Sequence, residues 1–292
     1  MKTIKDEFST IVDQTTLNKA FKYPKLNKDF SKVIQDILND LKSNQQALSI
    51  LSDIVTYDNY IFTHSLNVTV YTLRLAMELN FNEKQLGEIG LGAILHDVGK
   101  MMLPLDILNK PDRLTDPEFK IIQSHTNEGF EYLRKQHDIP LLVAHCAFQH
   151  HERLDGSGYP RGIMKNEIHE YAKIIAIADV FDAVTSHRVY RKAMLPNEAL
   201  ELLYAGAGTQ FDQSLVEAFR RVVALYPEGL SVTLSDGREG IVIKQNKQLT
   251  THPIVRIISE DGKDLLECYD LDLSKQLDVT IVKMESILAN TV

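Results

Sequence analysis

Imidazoles and carboxylates interrupt apolar helical stripes at several separate places in this chain. His64 fills a gap in the stripe Ile61, Val68, Tyr71, Leu75 and Leu79, and Asp179 sits among Ile168, Ala172, Ile175, Ala176 and Ala183. His96-Asp97 closes the run Leu86, Ile89, Ala93, Ile94. His150-His151 follows Leu141, Ala144, His145 and Phe148, and His125 comes behind Phe119, Ile121 and Ile122. One histidine on such a face is ordinarily a core residue bonded to backbone, but an unpaired carboxylate there costs several kcal/mol. Together these groups would leave many buried polar atoms unsatisfied unless a cation meets them jointly. Neutral imidazole with carboxylate is an ordinary ligand set for a divalent metal. The ligands suffice for two ions sharing one carboxylate, and their chemistry suits iron, manganese or zinc. Neighbours on a helix diverge by about 100°, so His96 and Asp97 can serve such a centre only near a helix end. Gly99 stands where a chain leaves its helix. Lys100, a cation beside that pair, suits an anionic phosphate better than a solvated helix terminus.

The elements that must position these groups are helices. From about residue 56 to 226 the apolar period is helical, and nine of the ten histidines fall there. Ahead of it, within residues 1–55, Phe30, Val33, Ile34, Ile37, Leu38 and Leu41 recur three and four apart. That spacing predicts an amphipathic helix, suited either to packing on the main domain or to a homodimer. Beyond Pro227 the period changes to two, in Val232/Leu234, Gly240-Ile-Val-Ile and Ile254-Val-Arg-Ile-Ile, with Asp236-Gly237 and Asp261-Gly262 as hairpin turns. Residues 227–292 therefore read as a small antiparallel β module, a structural or interaction add-on. The expected architecture is mainly α: a helical segment over 1–55, a helical domain over 56–226 and the β module. A formal net charge of -8 argues against a DNA grip held by counterion release. No run approaches the roughly 18 apolar residues of a membrane span, and the Met1-Lys-Thr-Ile-Lys start has no signal-peptide apolar core. Cys146 and Cys268 stand alone, without a disulfide or thiolate-metal pattern. A cytoplasmic protein is expected, with no membrane and no DNA partner.

His96-Asp97-Val98-Gly99-Lys100 resembles the signature of the HD-domain metal-dependent phosphohydrolases. The string His150-His151-Glu152-Arg153-Leu154-Asp155-Gly156-Ser157-Gly158-Tyr159-Pro160 resembles the second signature of the HD-GYP subfamily. Asp179-Val180-Phe181-Asp182-Ala183-Val184-Thr185-Ser186 is similar to the third, so the likeness covers about residues 56–226. It implies an HD-type helical bundle whose metal centre hydrolyses cyclic di-GMP, a bacterial second messenger. Carried over by motif, His64, His96, Asp97 and Asp179 hold one ion, and Asp97 bridges to a second held by His125, His150 and His151. Lys100 approaches the scissile phosphate, Arg188 and Arg191 contact substrate phosphate or guanine, and Gly158 and Tyr159 line or shape the site.

Two departures carry consequences. Some family members place a glutamate one turn before the first histidine; here Tyr60 stands there, which predicts two ions rather than three. Iron or manganese comes first, with zinc, nickel or magnesium as alternatives. The third signature usually continues Asp-Arg-Pro-Tyr, whereas this chain has His187-Arg188-Val189-Tyr190, a change of loop shape more than of chemistry. Two such ions would acidify a shared water and polarise a phosphate oxygen. Lys100 and Arg188 would add fixed positive charge where the transition state grows more anionic. The expected product is linear pGpG, with GMP after a second cut. Hydrolysis of another cyclic dinucleotide such as cyclic GMP-AMP is the alternative, or a non-catalytic receptor acting on signalling-protein partners.

Overall fold

The structure, a computed structural model, describes residues 60–285 except 138, 187–192, 224–225, 227, 247–248 and 250, together with residue 35. At 60–63 and 285 only the backbone is described. The expected N-terminal helix, and any homodimer it would form, lies outside the described residues apart from residue 35.

Helix α1 spans Tyr60–Glu78, and Asn80 beyond it takes φ 60°, the left-handed conformation that stops helices. Asn82 then starts α2 (Glu83–Ile94): its side chain accepts from Gln85 N, and the Gln85 side chain accepts from Asn82 N. This reciprocal cap satisfies two donors that the helix cannot. After Ile94 the chain turns and tightens into a 3-10 helix over Val98–Met102, which leaves His96-Asp97 at the corner. Short α3 (Leu105–Leu108) follows, then α4 (Asp116–Gln123), held by a second capping box between Thr115 and Glu118. Only Ser124 separates α4 from α5 (His125–Leu133), and α6 covers Leu141–Gln149. Helix α7 (Glu170–Thr185) buries Tyr171, Ala172, Ile174, Ile175, Ile177 and Phe181, the all-round apolar surface of a central helix. It packs against α1, α2, α6, α8 (Pro196–Ala205) and α9 (Gln213–Val222). Tyr71 and Phe219 meet Phe181 edge-on, at centroid distances of 5.2 and 5.1 Å, and so tie α1 and α9 to α7.

The C-terminal part is one antiparallel sheet, β1 (Ser231–Leu234), β2 (Glu239–Lys244), β3 (Ile254–Glu260), β4 (Lys263–Asp272) and β5 (Ile281–Glu285), in the order β4-β3-β2-β1-β5. Asp261 and Gly262 have φ 49° and 72°, the positive pair that a two-residue hairpin turn requires. The sheet encloses its own apolar cluster of Val232, Leu234, Val242, Val255, Ile257 and Leu271 among others, and Tyr226 packs on both this cluster and the helical core. The mainly-α architecture with a small antiparallel β module is the one expected.

Three residues of the apolar runs beside the histidines lie at the surface. Phe119 and Ile121 on α4 are 46% and 37% exposed, and Leu141 at the start of α6 is 57% exposed. Helical period identifies an apolar stripe but not whether another element covers it. Among the described residues no helix is long and apolar enough to cross a membrane.

Candidate metal centre

Five segments meet at one buried point. α1 brings His64, the corner after α2 brings His96 and Asp97, and α5 brings His125 as its first residue. The turn after α6 brings His150 and His151, and α7 brings Asp179. All are buried except His151, whose side chain is 18% exposed.

Asp97 stands between two sets of imidazoles. Its Oδ2 lies 3.5 Å from His64 Nε2 and 3.3 Å from His96 Nε2. Its Oδ1 lies 3.3 Å from His125 Nε2 and 3.7 Å from His150 Nε2. The donor atoms form two groups, His64/His96/Asp97 and Asp97/His125/His150/His151, each with its atoms within 4.8 Å of one another. Asp97 is the member they share. Asp179 also reaches both groups, with Oδ1 3.1 Å from His64 Nε2 and Oδ2 3.8 Å from His151 Nδ1.

The hydrogen bonds behind these rings decide what the donors are for. His96 Nδ1 donates to Ala93 O at 2.6 Å, His125 Nδ1 to Ile122 O at 2.6 Å, and His150 Nδ1 to Ala147 O at 3.0 Å. Carbonyls only accept, so each Nδ1 carries a proton, and each ring in its neutral form turns a bare Nε2 lone pair inward. His125 Nε2 and His150 Nε2 then face each other at 3.3 Å. His96 Nε2 and Asp97 Oδ1 are buried with no hydrogen-bond partner. Opposed lone pairs beside orphaned acceptors need a cation, and nitrogen with carboxylate oxygen is the donor set of divalent transition metals. The residues fit two ions.

The electrostatics agree. Burial drives the His125 imidazole down to about 4, against the pull of Asp97, and burial and neighbouring imidazoles hold His151 well below the usual range. Burial likewise lowers His150. Burial alone would raise Asp97 and Asp179, but the Lys100 ammonium and His96 hold Asp97 well below the carboxylate range, and His64 and His151 do the same for Asp179. His64 differs. Burial opposes its charge, yet Asp179 and Asp182 raise it to about 9, so a proton resides there without a metal.

Asp182 is a site residue that was given no role in the sequence. Its Oδ2 is 2.7 Å from His64 Nδ1, and its Oδ1 accepts from Asn67 Nδ2 at 2.8 Å and Ser186 Oγ at 3.1 Å. A carboxylate behind a ligand histidine fixes the ring's orientation and raises its basicity. The available signal was spacing: Asn67 lies three residues after His64 and Asp182 three after Asp179, one helical turn on each of two facing helices.

Lys100 Nζ donates to Asp97 Oδ2 at 2.5 Å, which places its charge beside that carboxylate. Gly99 has a reason other than ending a helix. A Cβ there would lie 1.9 Å from His125 O and 2.6 Å from Gly129 N, so only glycine lets the corner reach α5. Gly158 repeats the device, since a Cβ would lie 2.4 Å from His151 O and from Arg153 N. This close approach lets Tyr159 N donate to His151 O at 3.2 Å, and the Tyr159 ring stacks on His151 at 4.6 Å. Buried Glu152 closes the loop by accepting from Arg161 N and Ile163 N. Arg188 and Arg191 lie outside the described residues, as does the side chain of Tyr60.

The HD domain family model matches residues 28–215, and a model described as a KOW domain associated with HD domain matches residues 231–288. A protein of Pseudomonas aeruginosa named cyclic di-GMP phosphodiesterase is 36% identical over 227 residues, covering 78% of this chain and 55% of its own. A cyclic di-GMP phosphodiesterase of Thermotoga maritima is 37% identical, covering 70% of this chain and 54% of its own. The chain thus spans about half the length of these curated relatives. A solved HD-GYP-type structure from Bdellovibrio bacteriovorus superposes with a TM-score of 0.60 at 22% identity, over 70% of this chain and 67% of its own, which speaks for the fold. With the family model matched across all the segments that build the centre, this chain belongs to the HD domain family.

Proposed function

We propose that this chain hydrolyses the phosphodiester bonds of cyclic di-GMP at a centre of two divalent cations, iron or manganese first. The carrying observation is the Asp97 carboxylate, whose two oxygens face two separate sets of inward lone pairs. The names of the similar proteins from Pseudomonas and Thermotoga support this substrate class. Divalent ions held there would supply Lewis acidity, lowering the pKa of water and polarising a phosphate oxygen.

The chain's residues do the rest. His64, His96, Asp97 and Asp179 would hold one ion, and Asp97, His125, His150 and His151 the other. Asp182 keeps the His64 ring in place, and the backbone carbonyls do so for His96, His125 and His150. Lys100 holds its ammonium beside the shared carboxylate, where a transition state gathering negative charge would be stabilised. Tyr159 stacks on His151 and steadies that ring. Water adds to phosphorus and the 3′ oxygen leaves as a hydroxyl, giving linear pGpG; a second addition gives GMP. The proposal places the reaction in the cytoplasm.

Cyclic GMP-AMP is a second candidate substrate, because a Vibrio cholerae protein named as a 3′3′-cGAMP-specific phosphodiesterase is 36% identical over 169 residues. Incubating metal-loaded protein with each dinucleotide and separating the products tests both. Linear pGpG from cyclic di-GMP supports the proposal; loss of cyclic GMP-AMP alone moves the assignment to that substrate, and no product from either refutes it.

A further inference from the structure

We propose that Phe119 is a stacking platform for a purine base of the substrate, an inference that rests on the cyclic-dinucleotide reading above. Three rings form a ladder leading out of the centre. His151 belongs to the second donor group, Tyr159 stacks on it at 4.6 Å, and Phe119 meets Tyr159 edge-on at 6.3 Å and 79°. Tyr159 also lies 6.3 Å from His125, so the ladder stands over the Asp97/His125/His150/His151 side of the site. Its outer ring is the wet one: Phe119 is 46% exposed. Burial therefore does not account for this phenylalanine.

The ring is held where it is. Thr115 and Glu118 cap α4 reciprocally, and Lys110 Nζ pairs with both Glu118 oxygens at 2.8 and 2.7 Å. One residue, Ser124, joins α4 to the helix that begins with His125. An exposed aromatic on a fixed helix beside an anion-attracting centre loses little freedom on meeting a flat ligand. A cyclic dinucleotide carries a base beside each of its phosphates, so a diester placed at the centre puts purine faces at its rim. Stacking on an aromatic ring tolerates any base, because every base has a π face. Phe119 then adds affinity common to cyclic di-GMP and cyclic GMP-AMP and does not choose between them.

The test compares metal-loaded wild type with Phe119→Ala, Phe119→Leu and Phe119→Trp. KM and kcat are measured for both dinucleotides, with metal content and the Kd for GMP by calorimetry. Ala and Leu are expected to raise KM for both substrates and Kd for GMP by about tenfold. Unchanged kcat and metal content are expected, as when binding common to ground and transition states is removed. Trp should restore binding. Leu behaving as wild type would mean that apolar bulk suffices and would overturn the platform, as would an unchanged KM in Ala. If wild type turns over neither dinucleotide, the proposed function fails separately, and GMP binding still decides the ring: a Kd that ignores all three substitutions overturns it.

Discussion

Asp97 and the imidazoles around it were legible as residues because each breaks an apolar period, and a buried acid without a partner is too costly to be incidental. Their replacement should be correspondingly severe. Asp97→Ala or His96→Ala is expected to abolish turnover and to reduce bound metal, measured on the same purified protein by product analysis and elemental analysis. Full activity in either variant would refute the centre. Lys100→Ala should leave metal content unchanged while cutting kcat by about 100-fold, the effect of losing one group that stabilises developing charge. An unchanged kcat would remove its role. The pH dependence follows from His64. Without metal its imidazole is raised to about 9 by Asp179 and Asp182 against the opposing effect of burial, so at pH 7.5 it is protonated and has no lone pair to give. Metal binding must expel that proton, and affinity should fall about tenfold for each pH unit below 9. His125, held down to about 4, is already neutral and adds no such term at this pH. Calorimetry in two buffers of different ionisation heat should report about one proton released per chain loaded at pH 7.5; none released would contradict the assignment.

At the scale of elements, the turn at Gly99 makes the strongest demand. The added methyl of Gly99→Ala would meet the His125 carbonyl and the Gly129 amide, both backbone, so no side chain can swing away to admit it. A loss of about 3 kcal/mol is expected, with lower metal content because α5 carries His125 away. A thermal melt and metal analysis of the variant check this; wild-type values would show that the corner relaxes freely. The helices themselves were visible from period, and the two Asp-Gly hairpins from turn chemistry. Contacts between elements were not. Gly99 read as a helix terminator because its neighbour α5 is distant in the sequence. That Phe119 and Leu141 are exposed could not be read either, because period cannot report an uncovered face. Asp182 stayed without a role because an aspartate one turn past a ligand looks the same whether it faces water or a histidine from another helix.

Over the whole molecule, the centre joins α1, α5, α7 and two interhelical corners, so its candidate donor residues span 64 to 179 and come together as a set only in the folded helical core. The sheet keeps a separate apolar cluster and contributes none of the donor atoms to either group. Site and bundle are thus one cooperative object, with imidazoles fixed from behind by backbone carbonyls and Asp182, and with Asp97 at the middle. Anomalous diffraction from crystals reconstituted with manganese or iron addresses that arrangement most directly. A shared centre predicts two peaks roughly 3.5–4 Å apart, each within bonding distance of a different Asp97 oxygen and of its own imidazoles. A single peak, or two peaks with Asp97 touching neither, would contradict it.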